Sequence, residues 1–174
     1  MSQPEVWLRG PVSGIPPLLQ PVAHSLLQCR EEILACLPGL TPQQLAARPG
    51  GAAPIAYHAR HSIGSLDRLL TYARGERLTD EQRAYLESER NAAAALPDAE
   101  HMIVAFDRAI ARGLEQLAQT DEATLIAVRT VGSKQLPSTV IGLLFHAAEH
   151  TQRHVGQLVT TAKVVRGGEF GDPV

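Results

Sequence analysis

The segment from Ser138 to Val165 constrains this chain more than any other. Val140, Leu144, Ala147, Thr151, Leu158 and Ala162 fall within about 60° of one another when wound at helical pitch, so the segment reads as one long amphipathic helix. Three histidines are set in step along it, at His146, His150 and His154. A four-residue step turns a side chain by only ~40°, so these imidazoles stand one above another. Two imidazoles one turn apart can hold a single divalent ion. The buried stripe sets their aim. His154 lies at its edge, His150 is ~40° further round, and His146 drifts another ~40° outward to the rim. Glu149 and Arg153 face away, at the four-residue spacing of a surface ion pair.

Three more apolar stripes precede this one. The first runs from about Leu18 to Leu37, with Leu19, Val22, Leu26, Ile33 and Leu37 inward and Pro38-Gly39 as its stop. Thr41-Pro42-Gln43-Gln44 has the form of an N-cap followed by proline at the first helical position. A second long helix fits Pro54 to Arg74, closed by Gly75. The third fits Asp98 to Gln119, with Met102, Ala105, Phe106, Ile110, Leu114 and Leu117 in period and Asp98 as the cap after Pro97. Residues 76–97 are polar and Ala-rich, which suits a long crossover with a short helix of its own. Leu125 to Pro137, β-branched around Gly132-Ser133, reads as a small hairpin or extended loop. Residues 1–17 form an extended lead-in with Trp7 packed on the body, and 166–174 a C-terminal tail. The expected fold is all-α, a four-helix bundle with one long crossover, as a single domain over 1–174.

The 174 residues suffice for one core and are too few for two ordinary domains. Aromatics make up only 4%, so the core must come from Leu, Val, Ile and Ala, a diet that favours packed helices. A net charge of −2 without a dense Lys/Arg block gives no sign of nucleic-acid binding. Cys29 and Cys36 lie too far apart along one helix for a disulfide and read as buried, reduced thiols of a cytoplasmic protein. No apolar run approaches membrane-spanning length, and the first residues lack the pattern of a secretion signal. There is no nucleophile elbow, phosphate loop or glycine-rich dinucleotide turn.

A metal ion on the last helix needs a further ligand, and the second helix offers His58 and His61. The phase of Ile55, Ala59, Leu66, Leu69 and Ala73 leans toward His58. The small residues Gly64 and Ser65 would leave room for an ion near His61, which leans the other way. Spacing leaves the choice open. His24 reads as a satisfied core residue and His101 as solvent-exposed, and no carboxylate is clearly placed as a general base.

The segments Ala56-Tyr-His-Ala-Arg-His61-Ser-Ile-Gly-Ser-Leu-Asp-Arg-Leu-Leu and Gly142-Leu-Leu-Phe-His-Ala-Ala-Glu-His150-Thr-Gln-Arg-His154-Val-Gly-Gln resemble the DinB/YfiT-like superfamily. The likeness covers nearly the whole chain, and the H-x-x-x-H-x-G-Q pattern is its most specific part. It implies that one divalent metal is held by His61, His150 and His154; His58, favoured by phase, and His146, on the rim of the last helix, are the alternates. It also implies a four-helix bundle, a homodimer and a small-molecule substrate. The reactions implied are thiol-dependent transfers or isomerisations, or metal-dependent hydrolysis. Zinc or nickel suits imidazole ligands. A metal-stabilised binding or structural protein without turnover is the alternative.

Overall fold

Apolar stripes at helical spacing do become helices in the computed structural model, which describes residues 4–90 and 98–167. Among the described residues there are six α-helices: α1 (Gln20–Cys36), α2 (Pro42–Ala46), α3 (Ile55–Ala73), α4 (Asp80–Arg90), α5 (Ala99–Gln119) and α6 (Val140–Val165). Strands β1 (Val128–Val131) and β2 (Leu136–Thr139) pair antiparallel, with Val128 opposite Thr139 and Val131 opposite Leu136. The chain is therefore mostly helical, with the expected hairpin as its one small sheet among the described residues. The last part of the expected crossover (91–97), the tail beyond 167 and residues 1–3 lie outside the described residues.

Helix α6 packs along α3 and α1, and α5 packs against the same two helices. The core sits among these four. Leu26 of α1, Leu66 of α3, Phe106 and Ile110 of α5, and Leu144 and Leu158 of α6 are all sealed inside it. The six stripe residues expected on α6 are all buried. Two other stripes differ in detail. On α5, Ala105 is exposed while Ala109 and Gly113 turn inward, Gly113 sitting close to Leu26 and Leu70. On α3, Leu70 is buried and Leu69 only partly so. The reason is that α3 is covered from several sides, by α6, α5 and α4. Its buried sector is wider than one stripe and takes in Ser62, Ser65, Arg68 and Thr71.

Local chemistry fixes the helix ends. Thr41 and Gln44 close a capping box at the start of α2. The Asp98 carboxylate accepts the His101 backbone N–H at 2.8 Å at the start of α5. Gly75, at φ +80°, ends α3 in the left-handed conformation that a side chain would resist, its N–H donating to the Tyr72 carbonyl at 2.9 Å. Thr139 caps α6 at Gly142, and the chain before the hairpin supplies two further acceptors: Val140 donates to Ala127 and Ile141 to Leu125. Three N–H groups otherwise orphaned at a helix start are thereby satisfied, which sets where the histidine-bearing helix begins.

The lead-in corrects one expectation. Trp7 is not packed on the body; it is 61% exposed, with its indole N–H on Glu5. Val6 is the buried residue, and its backbone N–H donates to the Gln28 side chain at 3.1 Å. A short 3-10 turn over Val6–Leu8 can point only one of the two neighbours inward.

Candidate metal centre

Helices α3 and α6 lie side by side, and their histidines meet where they touch. His61 Nε2 is 3.0 Å from His150 Nε2. The His154 ring lies 4.6 Å, centre to centre, from both His61 and His150. Each of the three offers one ring nitrogen, and these nitrogens all fall within 4.8 Å of one another. All three residues are half-buried, so the group is held by the fold yet open to solvent on one side. Among the described residues, no fourth His, Cys, Asp or Glu joins them.

The donor set fits a divalent ion. Two imidazole nitrogens facing each other at 3.0 Å repel unless a proton or a cation lies between them. Nitrogens bound to one ion at 2.0–2.1 Å stand about 3 Å apart, which is the spacing seen here. Tautomers agree with this. His61 Nδ1 is 2.9 Å from a carboxylate oxygen of Glu89, which can only accept, so Nδ1 carries a proton and, in the neutral ring, Nε2 is the nitrogen with the lone pair. His150 Nδ1 is buried without a partner. Burial, then the neighbouring His61, His150, His58 and Arg153, pushes the His154 pKa down to about 4. Burial likewise lowers that of His150, helped by His61, His146 and Arg153. Both are therefore neutral near pH 7, the form that coordinates metal.

The remaining histidines separate cleanly. His58 is buried and lies behind His154, the two Nδ1 atoms 2.9 Å apart. It backs one member of the group and is not one of the three. His146 is on the exposed side, 3.4 Å from Glu149, with its ring 5.3 Å from that of His150. His24 is 3.0 Å from the Gly10 carbonyl, and His101 pairs with Asp98 at the surface. Glu149 is engaged by Arg153 as expected. Cys29 is sealed in the core, and burial pushes its thiol up to about 12, so it supplies no nucleophile.

Sequence reasoning missed Glu89. This carboxylate comes from α4 in the crossover and is held by Arg68 (2.7 Å) as well as by His61. Burial pushes its pKa up, but the hydrogen bonds from His61 and Arg68 outweigh that and hold it below the usual range. A signal was available: Tyr85 and Glu89 are four apart and share one face of α4, the face turned to α3. The role expected of Gly64 also changes. The space beside it is not left for an ion, because a Cβ there would collide with the Glu89 carboxylate, the Tyr85 ring and the Arg68 guanidinium.

A mostly helical protein with a group of three histidines able to hold one metal ion is the class that this fold and geometry define. The sequence matches the family model of the DinB superfamily over residues 25–158, and the chain belongs to that superfamily. No curated protein matches it.

Proposed function

We propose that the protein is a metal-dependent enzyme whose single divalent ion, zinc or nickel, is bound by His61, His150 and His154. The observation that carries this reading is the convergence of three ring nitrogens with no fourth protein donor among the described residues, the pattern of a site that keeps a position open for substrate. An ion held by neutral imidazoles keeps its full positive charge, and when bound it supplies Lewis-acid activation of a thiol, a water or a carbonyl. The protein's own part is to keep His150 and His154 neutral and to aim three imidazoles at one point, with one face open. Both carboxylates nearest the group are engaged, Glu89 by Arg68 and His61, Glu149 by Arg153. Neither is free to take a proton from water. This favours transfer of a low-molecular-weight thiol, which ionises more readily than water, over hydrolysis. A metal-stabilised protein without turnover is the second reading; a fourth protein donor filling the open position would favour it, and among the described residues none joins the three.

In this reading the four long helices form one up-down bundle and one domain, which works as a homodimer in the cytoplasm. Support for self-association is a groove of about 430 Å³ between α1 and α6, lined by Pro21, Val22 and the exposed Phe145. Among the described residues no helix is long and apolar enough to cross a membrane. The functional test is consumption of a small thiol together with an electrophilic small molecule. Turnover should require loaded metal and be lost in His154→Ala; equal rates for loaded and metal-stripped protein would contradict the proposal.

A further inference from the structure

We infer that Glu89, brought in by the crossover helix α4, is a positioning residue for the metal ligand His61. The inference rests on the metal-centre reading above. Its observation is a chain of three side chains: Arg68 Nη1 donates to Glu89 Oε1 at 2.7 Å, Glu89 Oε2 accepts from His61 Nδ1 at 2.9 Å, and His61 Nε2 points at His150. A ligating imidazole free to rotate must lose that freedom on binding an ion. One already held through its far nitrogen by a carboxylate does not, and the negative charge makes the near nitrogen a better donor.

The arrangement is costly unless it has a use. A carboxylate 97% removed from solvent needs compensation, and here Arg68 supplies it with two N–H groups while being nearly buried itself. The backbone of α3 also gives way to it. Gly64 is the residue whose missing side chain lets the carboxylate lie against α3, one turn from His61. Of the three grouped histidines, only His61 has a carboxylate on its far nitrogen; His154 has His58 and His150 has no partner. Glu89 thus fixes the one ligand that comes from α3, whereas the other two share α6 and are aligned by its pitch.

The competing account is that the Arg68–Glu89 pair only fastens α4 to α3. Affinity for zinc, measured by chelator competition on folded, metal-stripped protein, separates the two, with the visible spectrum of the cobalt-substituted form as a second readout. The positioning account expects Glu89→Ala to weaken zinc binding by roughly 10–100-fold, the usual cost of losing such a partner, and to alter the cobalt spectrum. Glu89→Gln, which still accepts from His61 without the charge, should weaken it less and keep the spectrum near that of the wild type. A folded Glu89→Ala that binds zinc as tightly as the wild type, with only its thermal stability reduced, overturns the inference. Should Glu89→Ala fail to fold, Glu89→Gln decides: unchanged affinity overturns the inference, a several-fold loss supports it. Wild-type protein that binds no zinc would remove the metal-centre reading itself, a result distinct from either.

Discussion

At the scale of single residues, the histidines cost the metal-free protein stability in acid. His154 titrates near 4 in the fold but at the ordinary 6.5 in an unfolded chain, because burial and then neighbouring His61, His150 and His58 disfavour its charged form. Between these values the unfolded chain binds a proton that the fold refuses, so His154 weakens folding as pH falls from about 6.5 toward about 4 and adds no further loss below. His58 and His150 shift in the same direction, both by burial first, and add to the effect. Chelator-treated protein should therefore show a urea midpoint that declines steadily from pH 7 to pH 4.5. A midpoint that holds or rises over that range contradicts the assigned burial of these rings.

At the scale of elements, the helix ends make a sharper case than the helix bodies. Asp98 carries the first turn of α5 through the His101 backbone N–H and also holds the His101 ring at 2.9 Å. Asp98→Ala should lower the urea midpoint, and Asp98→Asn, which can still cap, should lower it far less. Much of this was legible beforehand, for particular reasons. The α6 stripe could be read residue by residue because its inner positions all face one apolar sector between α1 and α3. The hairpin and the caps were legible because turn and cap chemistry is local. On α3 the phase leans toward His58 and does not single out His61, since a helix covered on several sides buries both polar and apolar residues. His58 is in fact the more buried of the two, and it is His61 that meets His150. Depth in the core and convergence on a partner helix are different properties, and periodicity reports only the first. Glu89 was harder to reach for a related cause: α4 is mostly polar, and only the four-residue step from Tyr85 to Glu89 marks the face that lies against α3.

For the whole molecule, the site depends on two helices distant in sequence being pressed together. His61 and His150 are 89 positions apart, and the apolar contacts of α3 and α6 with α1 and α5 hold them in place. The chain leaves Leu18, Phe145 and Val164 exposed on its surface, with Phe145 beside the groove between α1 and α6. If this face is where two copies meet, sedimentation at micromolar concentration should give a species of twice the 18.7 kDa chain mass, and Phe145→Glu should return it to the monomer. A monomer in the unaltered protein rules out the dimer.

The central claim concerns one ion and three histidines, and the most direct measurement is elemental analysis of protein purified without a metal-affinity column. The account predicts about one divalent ion per chain, a stoichiometry lost in His61→Ala, His150→Ala and His154→Ala because two imidazoles alone hold an ion poorly against chelators. His146→Ala, on the exposed rim, and His58→Ala, behind His154, should leave metal content near that of the wild type. Protein that carries no metal and takes up none on exposure to zinc or nickel contradicts the claim. So does a His61→Ala variant that keeps its ion while His58→Ala loses it.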